Sequence, residues 1–294
     1  MSNFFIDLNL FNNDYYFYER LLILFFSLFP TILLIMLVLK TDKVNKEPKK
    51  NIIICLLSGI LTISLASYFE NIAISFFSSN VILTYLCAMI EEICKIIIFM
   101  LFIYDNKYYD EIYDGLVYMA LIALSFAGLE NIMYAFSEST VTNSIVLAIL
   151  RDFTTIPLHV ICGIIIGYFL SLSNFSKDKN NKYKNLFLAV LIPSLVHGTY
   201  NFIMGIIGNY DSMLLIMLLQ VIPILLVIFA LIYIAKSIIE KAFYLNNVYV
   251  NNKEYIKQYN YLMNNEEYFN SEFRNKRLSM YIKTKINKEG DIND

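Results

Sequence analysis

Two adjacent glutamates, Glu91 and Glu92, interrupt an apolar run of the sequence, and Lys95 follows one helical turn later. The run covers residues 81–104 and is long enough to cross a bilayer as a helix, which takes ~20 residues. An ionisable group in the middle of a bilayer costs roughly 2.5–3.5 kcal/mol on insertion scales, so a cluster of them indicates a function. A carboxyl group in such surroundings is suited to act as a general base or as a metal ligand.

Similar polar side chains occur in the next three apolar runs. The first of these runs contains Glu130 and Asn131, the second Arg151, Asp152 and His159, and the third His197 and Asn201. His159 and His197 are the two histidines of the chain. The spacing of His197 and Asn201 places both side chains on one face of a helix.

The same spacing argument groups the other ionisable residues. Glu91 and Lys95 are four residues apart, which predicts an ion pair between them, with Glu92 turned about 100° away. Asp152 and His159 are seven residues apart, close to two helical turns, and are therefore expected on one stripe of a single helix.

This set of side chains is suited to hydrolysing a peptide bond. Hydrolysis needs a base that activates water, and a glutamate in a low dielectric suits that role. It also needs a group that stabilises the oxyanion, which histidine and asparagine side chains can provide. The same glutamates and histidines can instead hold a divalent metal such as zinc, whose bound water is then the nucleophile, although the HExxH spacing is absent.

Depth in the membrane follows from a rise of ~1.5 Å per residue. Glu91, His159 and His197 are expected near the middle of a hydrocarbon core ~30 Å thick. Glu130 is expected higher, in the outer third, and its charge can be neutralised by an arginine of the following run. Glu70, at the outer end of its own run, is interpreted as interfacial.

The composition predicts the class of protein. The chain is 58 % hydrophobic and 16 % charged, well below the ~25 % charged residues of soluble domains. It is therefore predicted to be a multi-pass membrane protein in contact with the lipid bilayer, and the family resemblance described below implies the bacterial cytoplasmic membrane. A net charge of −2 gives no basic field that would favour nucleic acid as a partner.

Hydropathy predicts an all-α bundle of about seven transmembrane helices. The apolar segments are 21–39, 51–70, 81–104, 113–136, 144–172, 186–207 and 213–235. Lysines are concentrated in 40–50, in 173–185 and beyond residue 236, whereas the alternate connections lack Lys and Arg. Because Lys and Arg remain on the cytoplasmic side, the N-terminus is predicted outside and the C-terminus inside.

Two features modify this simple topology. Segment 144–172 is long for one span and contains Pro157, which predicts either one tilted helix or a kink near the proline. Residues 1–240 are expected to form the transmembrane domain, and residues 241–294 a polar cytoplasmic tail, partly helical or disordered.

The first 19 residues lack Lys and Arg, so no cleavable signal peptide is predicted.

Four sequence pieces resemble the PrsW family of intramembrane proteases. They occur in the family's order within residues 81–205: EEICK at 91–95, YDGLVYMALIALSFAGLENIMY at 113–134, RDFTTIPLHVICG at 151–163 and HGTYNF at 197–202. The sequence is more distantly similar to CAAX-processing type II (CPBP) proteases, which have EExxxR, FxxxH and HxxxN motifs. Here Phe126 and Glu130 give FxxxE instead of FxxxH.

The resemblance implies a protease, classed with metallopeptidases, that cleaves a single-pass membrane anti-sigma factor on its outer side. This cut begins a regulated proteolysis that frees a sigma factor. By resemblance, Glu91 corresponds to the catalytic base and His197 with Asn201 to an oxyanion-stabilising pair. The other implied site residues are Glu92, Glu130 and His159 as catalytic groups, Lys95, Asn131 and Arg151 as supporting groups, and Glu92, Glu130, His159 and His197 as metal ligands.

Two other functions agree with the same residues. Intramembrane Glu, His and Lys side chains also form the proton relays of transporters, so a proton- or cation-coupled transporter is the first alternative. The absence of an evident internal repeat in the sequence argues against it. A non-catalytic membrane scaffold of the same superfamily is the second alternative, and the presence of both glutamates and both histidines argues against that one.

Overall fold

The structure, a computed structural model, describes residues 15–41, 47–77, 80–106, 108–109, 112–176 and 178–207, and the single positions 233, 236, 238 and 239. All regular structure in these residues is helical, as the sequence predicts. The helices are α1 Phe17–Thr41, α2 Lys49–Phe76, α3 Asn80–Phe102, α4 Ile112–Phe136, α5 Val141–Phe153, α6 Thr155–Asn174 and α7 Lys179–Ile207. The predicted seventh segment and the polar tail lie outside the described residues, apart from those single positions.

Five helical stretches among the described residues are long and apolar enough to span a membrane. They are Phe17–Lys40, Lys49–Phe76, Ile112–Phe136, Val141–Asn174 and Lys179–Gly205. Helix α3 is 23 residues long and is equally apolar except for the Glu91, Glu92 and Lys95 group at its centre. These helices make the protein a multi-pass membrane protein.

Helix α4 is the centre of the bundle and is buried on nearly every side. Such a helix must be covered by others, and it packs against α6 on one side and against α2 and α1 on the others. The crossing with α6 is very close, because a Cβ atom at Gly167 would overlap the backbone carbonyl of Gly115. Small residues permit such close approach between membrane helices. The lipid-facing helices α1 and α2 instead expose large apolar side chains such as Phe25 and Leu57.

The predicted span 144–172 is interrupted at Thr154 rather than at Pro157. Thr154 ends α5 and precedes α6, and the hydroxyl group of Tyr200 on α7 donates to the Thr154 hydroxyl oxygen at 2.9 Å. Pro157 falls in the first turn of α6, where its missing N–H leaves no hydrogen bond unmade. The break places Asp152 and His159 on different helices, so the expectation of one shared stripe is wrong.

Candidate active site

Helices α3, α4, α6 and α7 bring buried ionisable side chains into one cluster. Each of them is less than a tenth exposed: Glu91, Glu92 and Lys95 on α3, Glu130 on α4, His159 on α6 and His197 on α7. The packing of the helices explains the arrangement, since α6 lies against α4 and α7 lies against both α3 and α6. The Phe126 ring covers the cluster, with its centroid 4.3 Å from Lys95 Nζ and 5.2 Å from the His159 ring centroid.

Glu92 is the hub of this cluster. Its Oε1 atom accepts a hydrogen bond from Lys95 Nζ at 2.8 Å and lies 2.8 Å from His197 Nδ1. Glu91 Oε2 is 3.9 Å from Lys95 Nζ. The predicted pairing of Lys95 with Glu91 is therefore secondary to an ion pair with Glu92, because residues three apart also share a helix face and the long lysine side chain reaches either carboxylate.

His159 connects the α3 groups to α4. Its Nδ1 atom is 3.0 Å from Lys95 Nζ, and its Nε2 atom is 3.1 Å from Glu130 Oε2. A lysine ammonium has only donors, so Nδ1 accepts from Lys95 and the ring proton lies on Nε2, which donates to Glu130. This assignment of the tautomer rests on the hydrogen-bond partners. The His159 and His197 rings meet edge to face, with centroids 4.7 Å apart.

Glu130 is also held by Arg151, as the sequence suggested. Arg151 Nη2 donates to Glu130 Oε2 at 2.7 Å, and the guanidinium stacks over the Tyr134 ring at 4.0 Å. Glu130 and His159 are in contact although Glu130 is predicted at a higher level, in the outer third of the membrane, because contact between long side chains does not require equal depth of the two backbones. A depth count along ideal helices ignores the reach of long side chains and the break at Thr154.

Asn131 lies next to Glu130 in sequence but belongs to a separate contact. Its Nδ2 atom donates to Asp152 Oδ1 at 3.0 Å and to the Ser27 carbonyl oxygen at 3.2 Å. These bonds join α4 to α5 and α1. Asn131 therefore supports the helix packing beside the site, and it shows no hydrogen bond to the Glu/His cluster among the described residues.

Asn201 lies one helical turn beyond His197 on α7 and is half-buried. In the described part of the chain, the Asn201 side chain forms no hydrogen bond with His197, beside which it is predicted to act. Between the two residues, Gly198 faces the Tyr85 ring on α3, and a Cβ atom there would overlap that ring. The glycine thus serves the packing of α3 against α7, which positions His197 next to Glu92.

Glu91 differs from Glu92 in its contacts. It is 6 % exposed, yet its Oε2 atom has no hydrogen-bond donor within reach among the described residues. The nearest cationic atoms to it are Lys95 Nζ and His197 Nδ1, both at 3.9 Å. Among the described residues this oxygen is an acceptor without a donor, and a general base needs such an acceptor for the proton of its water.

Sequence reasoning missed Glu70, which was interpreted as interfacial. It is 8 % exposed and lines a small cavity together with Glu91 and Glu130. The predicted segment ended at residue 70, whereas α2 continues to Phe76, so Glu70 lies inside the helix rather than at its end. The helical spacing of Ile63, Ser67 and Glu70 was the available signal for a buried face that includes this glutamate.

The donor set of the cluster fits a divalent metal. Each of Glu91, Glu92, His159 and His197 offers one ligand atom, and these atoms lie within 4.8 Å of one another. Histidine nitrogens and carboxylate oxygens are ligands that zinc accepts. One oxygen of each α3 glutamate lacks a hydrogen-bond partner in the described residues. The set predicted from the sequence contained Glu130 in place of Glu91, and the structure engages Glu130 with Arg151 and His159 instead.

The chain matches a known protein family over the region that contains this site. A family profile described as "PrsW family intramembrane metalloprotease" matches residues 47–232, which include every residue of the cluster. No solved structure matches the chain significantly.

Several curated relatives carry the name Protease PrsW. The one from Clostridioides difficile (strain 630) is 33 % identical over 181 residues, which cover 60 % of this chain and 76 % of that protein. The Oceanobacillus iheyensis protein is 40 % identical over 127 residues, 43 % of this chain and 56 % of its own length. For the Bacillus subtilis (strain 168) protein the identity is 37 % over 121 residues, with 41 % and 53 % covered. The chain thus spans little more than half the length of the last two, but the profile and the first relative show that it belongs to the PrsW family, the intramembrane metalloproteases.

Proposed function

We propose that the protein is an endopeptidase that cleaves a single-pass membrane anti-sigma factor on the outer side of the bacterial cytoplasmic membrane. The cut would start a regulated proteolysis that ends with an active sigma factor. Membership in a family of intramembrane proteases supports the reaction class. The observation that carries the assignment to this site is the buried, unpartnered Oε2 atom of Glu91 beside Lys95 and His197.

In the proposed mechanism, Glu91 accepts a proton from the attacking water and passes it to the leaving amine. Its burial suits this role, because a carboxylate in a low-dielectric site is a stronger base than one in water. Glu92 stays ionised between Lys95 and His197 and fixes the orientation of both side chains.

His197 and Asn201 are proposed to stabilise the oxyanion. A protonated His197 donates from Nδ1–H to Glu92 Oε1, which leaves its Nε2–H group to donate to the substrate carbonyl oxygen. Asn201 would contribute an amide N–H from the next turn of α7. Such preorganised donors are typically worth ~10²–10³ in rate each.

In the alternative, metal-dependent form of the mechanism, a divalent metal at this site would be held by Glu91, Glu92, His159 and His197. When bound, it would supply a Lewis acid that polarises the substrate carbonyl and makes its coordinated water more acidic. His159 would be oriented for this role by its bond from Nε2 to Glu130, and Glu130 in turn by Arg151.

The proposed topology has seven spans, with the N-terminus outside and the C-terminus in the cytoplasm. The lysine-rich segments 40–50 and 173–185 and the lysine-containing tail favour it. In this arrangement residues 1–240 form the protease domain and 241–294 a cytoplasmic addition.

The function is tested by reconstituting the protein with a candidate single-pass anti-sigma factor in liposomes. Mass spectrometry of the products locates the cut, and wild type is compared with Glu91→Ala. We expect one cut on the outer side of the substrate's span by wild type only. Equal products from both proteins would remove Glu91 from the mechanism, and a cut in the cytoplasmic part would contradict the topology.

A further inference from the structure

Glu70 on α2 is a buried carboxyl group that the reaction described above does not use. It lies six residues before Phe76, where α2 ends, about 9 Å along the helix at ~1.5 Å per residue. A carboxyl group at such a position is costly to bury without compensation. Within the described residues no basic side chain forms an ion pair with Glu70, so a structural salt bridge does not account for it.

A small cavity between α2, α3 and α4 contains the Glu70 side chain. Its polar wall consists of Glu70, Glu91, Glu130 and Ser67, and the remaining wall is apolar. The free space is on the scale of a water molecule, too small for an amino-acid side chain. A polar cavity of this size is suited to one ordered water, which needs two to four polar partners.

The free oxygen of Glu91 is the second observation. Glu91 is more than nine-tenths buried, lines this cavity, and its Oε2 atom has no donor among the described residues. Buried carboxylate oxygens nearly always have a donor, from protein or from ordered water. A water in the cavity would provide that donor.

The two hydrogens of such a water need two acceptors. Glu91 supplies one of them. Glu130 Oε2 is already engaged by Arg151 and His159, whereas none of the described basic side chains hydrogen-bonds Glu70. The Glu70 and Glu91 carboxyl groups also lie within hydrogen-bonding reach of each other and line the same cavity, so one water there can contact both. Glu70 is therefore the second acceptor that the geometry offers.

We propose that Glu70 is a water-binding residue of the active site, which holds the reacting water against Glu91 and turns its lone pair toward the substrate carbonyl. This inference rests on the proposed peptidase function. It adds α2 to the helices that contribute directly to the reaction. The water loses one proton to Glu91 while its oxygen attacks the carbonyl carbon, and Glu70 keeps the second hydrogen bond throughout.

The test measures kcat and KM for cleavage of a single-pass substrate by the full-length protein and its Glu70 variants. Glu70→Gln replaces one acceptor oxygen by a donor, and we expect kcat to fall about 10- to 100-fold with KM within twofold of wild type. Glu70→Ala should fall at least as far and regain activity in millimolar formate, because formate restores a carboxylate in the emptied space. Neighbouring Asn71 bonds the Ser67 carbonyl oxygen and does not line the cavity, so Asn71→Ala should retain wild-type kcat.

Wild-type kcat in both Glu70→Gln and Glu70→Ala would overturn the proposal. A loss of activity with a lower melting temperature and no recovery in formate would also overturn it, because it would make Glu70 structural. Glu70→Asp keeps the carboxyl group but shortens the side chain, so it separates an effect on catalysis from an effect on stability. We expect this variant to have the melting temperature of wild type and a lower kcat. Glu91→Gln is measured in parallel. If Glu91→Gln is inactive while the Glu70 variants are active, only the proposal for Glu70 is refuted. If the wild-type protein is itself inactive, the peptidase function is refuted as well.

Discussion

Lys95 and Glu92 form an ion pair in which both side chains are fully buried, with Nζ 2.8 Å from Oε1. The pair lies on one face of α3 and extends to His159 and His197 on two other helices. A lysine ammonium thus occupies the middle of a cluster whose other members are carboxylates and imidazoles. It provides the counter-charge that permits two adjacent glutamates inside a membrane bundle.

Removing Lys95 should destabilise the protein strongly. Lys95→Met leaves the Glu92 carboxylate buried without its cation, which typically costs about 3–5 kcal/mol. We expect a clearly lower melting temperature in detergent. The matched control is Lys184→Met at an exposed position of α7, where little change is expected. An unchanged melting temperature for Lys95→Met would mean that the pair does not stabilise the fold.

Glu130 and Arg151 should behave as a coupled pair. Arg151→Met leaves Glu130 with one fewer donor in a buried site, so it should destabilise more than the double variant Glu130→Gln/Arg151→Met. Thermal unfolding of both single variants and the double variant gives the coupling. Additive effects would contradict a direct interaction between α4 and α5 through these side chains.

Metal binding should depend on the four-residue donor set. After loading with zinc and removal of excess, we expect about one metal ion per chain by mass spectrometry, and a large loss in His197→Ala. Cys87 is a half-buried free thiol outside the set, so Cys87→Ser should retain the metal. A wild-type protein without metal would favour catalysis by the glutamate base alone.

The crossing of α4 and α6 should not tolerate a methyl group. Gly167→Ala would place a Cβ atom onto the Gly115 carbonyl and force the two backbones apart, so we expect a lower melting temperature. Gly205→Ala is the matched control, because no atom of the described residues lies within 4 Å of its added Cβ. There the higher helix propensity of alanine should leave stability equal or slightly greater. Equal melting of both variants would contradict the close crossing.

Hydropathy and spacing predicted much of this fold. Six of the predicted apolar segments correspond to helical stretches in the described residues, since a membrane span must satisfy its backbone hydrogen bonds within a helix. The break at Thr154 was not predictable in this way, because it depends on the hydroxyl groups of Thr154 and Tyr200, which meet only after α7 has packed against α6. The proline was a partial signal, since a kink near Pro157 was one of the two predicted alternatives and the break lies three residues before it, with Pro157 in the first turn of α6.

The residue types of the site were predictable, but their pairing was not. The motif pieces and helical spacing identified Glu91, Glu92, His159 and His197, which the structure brings together. Which carboxylate Lys95 contacts depends on side-chain reach across a helix face, and neighbouring helices decide it. The burial of Glu70 was not predicted, because the apolar segment 51–70 ends at this residue whereas α2 continues to Phe76.

The central claim is that Glu91 is the base of an intramembrane peptidase, and the most direct measurement is the kcat of purified Glu91→Gln on a single-pass substrate. This substitution keeps the shape of the side chain and removes its basicity. We expect the kcat of Glu91→Gln to be at least about 100-fold below that of wild type, with an unchanged melting temperature. Glu138→Gln, in the connection between α4 and α5, should cleave like wild type. Cleavage by Glu91→Gln at the wild-type rate would contradict the account.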